Sequence, residues 1–282
     1  MLNRLRAAFR PARPAPDGDP PGGRKPRAPA GHVLYAVGDV HGELGLLRQL
    51  LDTIVQDHAA LAARHGPLTP VLIMLGDYVD RGPDSRGVID LLRGGADATG
   101  RTLDDLLPGF ARHYLRGNHE QTMLDFLSDP MAALRWLDFG GLATLRSYGL
   151  PVVLEGAPVL QAQALSEALD AQLPPSHRRF LEGLEYSVVH GDYAFVHAGI
   201  RPGVPLEEQM AEDLLWIRAP FMLDEGPHEK VIVHGHTIVP DVDILPQRIA
   251  VDTGAYRSGR LSAVVLHGAD VRILDARRPA PL

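Results

Sequence analysis

The chain contains no cysteine. A disulfide framework, a thiolate-bound zinc and a cysteine nucleophile are therefore all excluded, and any metal must be held by imidazole, carboxylate or amide oxygen. Long apolar runs are missing too. No stretch reaches the roughly 18 to 20 residues that a membrane helix needs, and the opening MLNRLRAAFR lacks the unbroken apolar segment of a secretory signal. A soluble, cytoplasmic protein without stable membrane association is expected. Positive charge is scarce, with 28 Lys and Arg against 35 Asp and Glu, a formal charge of −7. That balance argues against nucleic acid as the main partner, because phosphate backbones are held chiefly by clustered Lys and Arg. What remains, 45% apolar and 22% charged residues in a chain of 282, is a globular composition able to bury a substantial core.

The charge is unevenly spread. Residues 1–30 hold seven Lys or Arg against Asp17 and Asp19, a local +5, which leaves −12 for residues 31–282. The same thirty residues carry seven of the 24 prolines. Such a segment has too little apolar surface to offset its ordering entropy, so a flexible basic tail is expected over 1–30 and a folded domain over 31–282. From Gly31 onward, short β-rich runs ending in Gly or Asp alternate with helical patterns, which is the mark of an α/β protein. HVLYAVGD, VLIMLGD and ARHYLRGN read as strands, with helices over Glu43 to His65 and SRGVIDLLRGG. Residues 121–185 read as a helical insertion. YAFVHAG, KVIVHGH, RIAVDTG, LSAVVLH and DVRILD then read as a second sheet with antiparallel strands.

Chemistry-bearing residues fall at the ends of these strands. Asp39 and His41 sit in GDVHG, Asp77 in GDYVDRG, Asn118 in RGNHE, His197 in HAGI and His236 in HGHT, each directly after a β run. Loops leaving one edge of a sheet converge in space, and that edge is where α/β proteins place ligands. Two carboxylates, three imidazoles and one amide oxygen suit a borderline first-row cation. Six side chains would crowd a single ion, whereas a carboxylate shared between two ions about 3.5 to 4 Å apart leaves positions open for water and substrate.

In that order the five motifs resemble those of the phosphoprotein phosphatase family of two-metal phosphoesterases. GGLATLRSYG at 140–149, DLLWIR at 213–218 and VDTGA at 251–255 make the chain most similar to its bacterial and phage branch. The resemblance covers residues 33 to 266. It implies the calcineurin-like metallophosphoesterase fold: α/β, with a β-sandwich of two mixed sheets flanked by helices. It also implies that Asp39, His41 and Asp77 hold one ion, that Asp77, Asn118, His197 and His236 hold the other, and that Asp77 is the bridge. Mn²⁺ is the ion implied, while Fe and Zn²⁺ accept the same donors.

By the same resemblance His119 is the general acid that protonates the leaving oxygen, Asp80 orients it, and Arg81 and Arg218 clamp phosphate oxygens. The activity implied is direct hydrolysis of a phosphomonoester by a water activated between two metals. Asp80 and Arg81 place the substrate with serine/threonine phosphoproteins or phosphopeptides. The alternative is a dinucleoside polyphosphate such as diadenosine tetraphosphate, whose hydrolases usually depart from the pattern at the position of Asp80. His234 is expected to pack rather than to serve the site, and His190 and His267 to be ordinary strand-end histidines.

Overall fold

A computed structural model describes residues 10–11, 25–96, 100–152 and 159–278. Its strands are β1 (Arg10–Pro11), β2 (His32–Val37), β3 (Thr69–Met74), β4 (Ala111–Tyr114), β5 (Ser187–His190), β6 (Tyr193–Val196), β7 (Val231–His234), β8 (Asp243–Ile244), β9 (Arg248–Ala250), β10 (Arg260–His267) and β11 (Asp270–Arg277). One sheet has the order β11-β10-β2-β3-β4, and the other has the order β1-β5-β6-β7-β9-β8. Both are mixed. In the first, β2, β3 and β4 are parallel while β10 runs antiparallel to β2 and β11. In the second, β6, β7 and β9 are parallel, and β5 and β8 pair antiparallel at its flanks.

The period-2 geometry of a strand sends alternate side chains to opposite faces, and here it divides the apolar residues among three cores. Val33, Tyr35 and Val37 of β2, Leu72 and Met74 of β3, and Ala263 and Val265 of β10 face a helix layer. Their neighbours Leu34, Ala36, Val71, Ile73, Val264 and Leu266 face the opposite way, onto Phe195, Val231, Val233 and Ile249 of the second sheet. The outer face of that sheet, Ala194, Val196 and Ile232, is covered by Leu214, Ile217 and Phe221. The result is a helix, sheet, sheet, helix sandwich.

The helix Leu44–His65 shows how sequence dictates one of these layers. Leu46, Leu47, Leu50, Leu51, Ile54 and Leu61 recur at helical spacing and are its buried face, and Gly66 ends it at a positive φ (83°) that suits glycine. The helix Ser85–Leu92 starts where Asp84 accepts a hydrogen bond from the Gly87 amide (2.8 Å). Among the described residues, all regular structure between β4 and β5 is helical, from Asn118–Ser128 to Pro175–Glu182. No described helix is long and apolar enough to cross a membrane.

One reading is corrected. LSAVVLH and DVRILD do not join the second sheet; they are β10 and β11 of the first. β10 is buried from Leu261 to Leu266, so both of its faces need cover, and the place beside β2 supplies it. Most of the tail expected over 1–30 lies outside the described residues, but Ala28 is buried in the inter-sheet core and its amide donates to the Gly268 carbonyl at 2.8 Å.

Buried histidines tie stability to pH. Tyr148 donates to Nδ1 of His177 (2.9 Å), and Nε2 of His177 donates to Asp90 (2.9 Å), linking three helical segments around a fully buried imidazole. Burial holds His177 below its ordinary value despite Asp90, and burial together with His113 pushes His190 down to about 4. A histidine held neutral in the folded state contributes stability that is fully present above the unfolded value of about 6.5 and is lost as pH falls toward the lower folded value. The melting temperature is therefore expected to drop between pH 7 and pH 4.5. A His190→Phe variant should show a shallower drop over the same range, measured by calorimetry.

Candidate metal centre

The parallel strands deliver their loops to one edge. β2 leads into Asp39 and His41, β3 into Asp77, Asp80 and Arg81, β4 into Asn118 and His119 at the start of the helix Asn118–Ser128, β6 into His197, and β7 into His236. Amides of Val40 and His41 donate to the Asp77 carbonyl (3.1 and 2.8 Å), so the first two loops are stitched together. Among the described residues, the non-glycine residues with positive φ are His41, Asp77, Asp80, Arg81 and His236, at 45° to 73°. Each such conformation costs about 1–3 kcal/mol and persists only where the surroundings enforce it. All five were singled out in the sequence for chemistry.

Two clusters of ligand atoms converge, His41 with Asp77 and His119, and Asp77 with His197 and His236. Asp77 is common to both. Its Oδ2 lies 3.5 Å from Nε2 of His41 and 3.9 Å from Nε2 of His119, while its Oδ1 lies 3.4 Å from Nε2 of His197. One oxygen faces each cluster, which is how a bridging carboxylate divides itself. Nδ1 of His41 is 2.8 Å from the Val79 carbonyl and Nδ1 of His197 is 2.8 Å from that of Leu75. Each N–H is thereby spent on backbone, and each Nε2 turns a lone pair inward.

Asn118 Oδ1 completes the second cluster, 2.9 Å from Nε2 of His197 and 2.8 Å from Nδ1 of His236. The amide oxygen and His197 Nε2 are both acceptors at hydrogen-bond separation, an arrangement that a cation satisfies, and His236 Nε2 is buried without a partner. The donor set therefore fits divalent ions. Asp39 is buried beside this group and accepts the His236 amide through both oxygens at 3.1 Å, yet it belongs to neither tight cluster.

Electrostatics separate the titratable groups. Burial pushes His41 down to about 3, and burial with the neighbouring His197 pushes His236 down to about 2, so both remain neutral. Burial alone would raise Asp77, but His197, His119 and His41 together hold it below the usual carboxylate range. Asp39 moves upward through burial and the charges of Asp252 and Asp77. For His119, burial is outweighed by Asp77 and Asp80, and its value rises.

Residues that sequence reasoning missed hold the reactive ones in place. Asp80, fully buried, takes hydrogen bonds from Nδ1 of His119 (2.6 Å), Nε1 of Trp136 (2.8 Å) and Oγ1 of Thr144 (2.6 Å). Trp136 and Thr144 come from the helical segment between β4 and β5, which thus reaches the centre of the site. Glu120 accepts four backbone amides, Asp77 and Gly117 on one oxygen (2.9 Å each), Tyr78 and Val79 on the other (2.7 and 3.1 Å). A signal for it was present: a Glu at the third helical position can reach back to the amide of the residue before the helix, the acidic half of a capping box. Gly117 is required there because a Cβ would strike the nitrogen and Oδ1 of Asp77.

The Arg81 guanidinium lies 2.8 Å from Nε2 of His41, 2.9 Å from Nε2 of His119 and 4.8 Å from the ring centroid of Tyr256. Arg218 stands exposed at the rim, its Nη1 3.4 Å from the His236 carbonyl. His234 packs edge-on against Phe221, with ring centroids 5.1 Å apart.

A sandwich of two mixed sheets whose parallel strands bring imidazoles around a shared carboxylate defines a metallophosphoesterase. The chain belongs to the calcineurin-like phosphoesterase family, whose profile matches residues 32–263. It is similar to serine/threonine-protein phosphatase 2 of Escherichia coli (strain K12), 26% identical over 244 residues that cover 81% of this chain and 90% of the relative. It is also similar to serine/threonine-protein phosphatase 1 of Salmonella typhimurium, 32% identical over 108 residues, 38% of each chain. A solved structure provisionally described as a diadenosine tetraphosphatase shares the fold with a TM-score of 0.56 at 18% identity, covering 91% of this chain and all of that one. So does the cold-active protein-tyrosine phosphatase of a psychrophilic Shewanella species, with a TM-score of 0.50 at 17% identity, over 97% and 91% of the two chains.

Proposed function

We propose that this phosphoesterase is a metal-dependent serine/threonine phosphoprotein phosphatase. The observation that carries the reading is the buried pair His119 and Asp80, 2.6 Å apart, set beside the shared carboxylate Asp77. Asp39, His41 and Asp77 would hold one divalent ion, and Asp77, Asn118, His197 and His236 the other. Such ions supply positive charge that lowers the pKa of water and neutralises phosphoryl oxygens. Mn²⁺, Fe and Zn²⁺ all suit this donor set, with Mn²⁺ the first choice.

The chain's own groups do the remainder. His119 keeps its Nδ1 proton on Asp80 and offers an Nε2 proton to the departing alkoxide. Asp80 supports the charged imidazole and, being locked by Trp136 and Thr144, fixes its direction. Arg81 and Arg218 present planar forks of donors to the phosphate oxygens. A serine or threonine alkoxide is a poor leaving group, which is where a held proton donor matters most.

A second reading, hydrolysis of a dinucleoside polyphosphate, draws on Trp216. Trp216 is 41% exposed, and its ring, 6.2 Å from that of His236, is an aromatic group on which a base could stack. The groove that Trp216 lines, about 410 Å³, carries Asp125 and Asp129 against the single Arg135, a net negative lining that disfavours a polyphosphate tail. That charge and the names of the sequence relatives support the phosphoprotein reading. The test is a hydrolysis panel of phosphoserine, phosphothreonine and phosphotyrosine peptides with diadenosine tetraphosphate, run with each metal. The serine and threonine peptides should show the highest kcat/KM; preference for the dinucleotide would overturn the reading.

A further inference from the structure

Away from the metal centre, a second hollow of about 610 Å³ opens at β4 and the helices Ser85–Leu92 and Pro175–Glu182. None of the residues assigned above to metal, proton transfer or phosphate lines it. Its wall carries Arg93, Arg112 and Arg179 against a single carboxylate, Asp104, so it is a net positive concavity in a chain of formal charge −7. The three arginines differ in their commitments. Arg112 donates to Asp104 (2.7 Å) and to the carbonyls of Leu103 and Leu107 (3.3 and 3.1 Å), while its Nε is buried without a partner. Arg93 is held on Asp90 at 2.8 Å. Arg179 is exposed, and its guanidinium has no hydrogen bond or ion pair among the described residues. The remaining wall is largely aromatic, Phe110, Tyr114 and Phe180, the last two with ring centroids 5.3 Å apart; Ser176 adds a hydroxyl.

The uncommitted guanidinium of Arg179, in a wall that also carries Arg93, calls for an anion, and a planar fork matches phosphate oxygens best. The rings beside them call for a flat apolar group. The volume lies within the roughly 300 to 1,000 Å³ of small-ligand sites. We propose that this hollow is a binding site, separate from the metal centre, for a nucleoside monophosphate. The phosphate lies against Arg179 and Arg93, and the base against Phe180 and Tyr114. Phe180 also stands 6.2 Å from the ring of Tyr78, the residue after Asp77, so the ligand's wall is one ring removed from the metal loop.

The experiment is calorimetric titration of the full chain with a non-hydrolysable phosphonate analogue of AMP, with adenosine and with inorganic phosphate. It is run on wild type, on Arg179→Glu, and on Arg81→Ala to remove the phosphate clamp of the active site. The analogue should still bind Arg81→Ala and should bind Arg179→Glu at least about tenfold more weakly. The kcat/KM of Arg179→Glu on p-nitrophenyl phosphate should stay within about twofold of wild type. Adenosine and inorganic phosphate should each bind the Arg81→Ala protein at least about tenfold more weakly than the analogue. Loss of binding in Arg81→Ala, or indifference to Arg179→Glu, would place the ligand in the active site and overturn the proposal. Inorganic phosphate binding as tightly as the analogue would overturn the nucleotide assignment.

Discussion

Asp77→Ala is expected to lower kcat/KM on a phosphopeptide by at least about 10³-fold and to leave fewer than two ions per chain. The reasoning starts from the division of its oxygens, Oδ2 toward His41 and His119, Oδ1 toward His197. Removing one carboxylate withdraws a ligand from both clusters at once, whereas any other single ligand belongs to only one. Metal ions are worth several kcal/mol of charge stabilisation, and each 1.36 kcal/mol is a decade in rate. Asp77 also accepts the His119 amide at 3.0 Å, so part of the loss could be a displaced loop. Asp77→Asn separates the two causes, because it keeps the shape and the amide contact while removing the charge. It should fold with the wild-type circular dichroism spectrum and still lose metal by elemental analysis. Two ions per chain with wild-type turnover in Asp77→Ala would show that the bridge is elsewhere.

His119→Ala is expected to cost about 10² to 10⁴ in turnover on phosphoserine peptides, the usual yield of a positioned acid, and far less on p-nitrophenyl phosphate. The nitrophenolate departs without help; the serine alkoxide does not. His119 is well placed for this because its two nitrogens have different tasks, Nδ1 on Asp80 and Nε2 facing Arg81 and Asp77. Asp80→Asn should reproduce the substrate dependence in milder form, since the amide still contacts Nδ1 while the stabilising charge is gone. The rise of the His119 value above that of a free imidazole sets the sign of the pH effect. The charged acid is present below its folded value, so turnover on poor leaving groups should fall as pH rises through it, and His119→Ala should abolish that limb. Equal losses on both substrates would assign His119 to metal binding, a place that its convergence with His41 and Asp77 allows.

Much of this site was legible because the residues that carry it are short-range. Asp39 and His41 lie two residues apart, Asn118 and His119 are adjacent, and each motif follows an apolar run that could only be a strand. Strand pairing was harder to read. Nothing local to LSAVVLH says that Val264 will sit opposite Ala36, some 230 residues earlier; that choice is made by the need to cover both faces of a buried strand. The supporting groups were hidden for the same reason. Trp136 and Thr144 look like ordinary core residues until the chain brings them to Asp80 from 56 and 64 positions away. Glu120 lay inside a motif already noted, yet its task is to gather four amides rather than to touch a ligand.

The left-handed backbone at His41, Asp77, Asp80, Arg81 and His236 has an implication for engineering. At each of these positions glycine would be the more comfortable residue, relieving about 1–2 kcal/mol. At Asp80 that relief is outweighed, because glycine would leave His119, Trp136 and Thr144 without their acceptor; where fewer such contacts are lost, a selection for heat resistance alone would reward glycine and erase the proposed site. Directed evolution of this scaffold should hold these five codons constant and seek its gains elsewhere, for instance on the solvent side of the helix Leu44–His65.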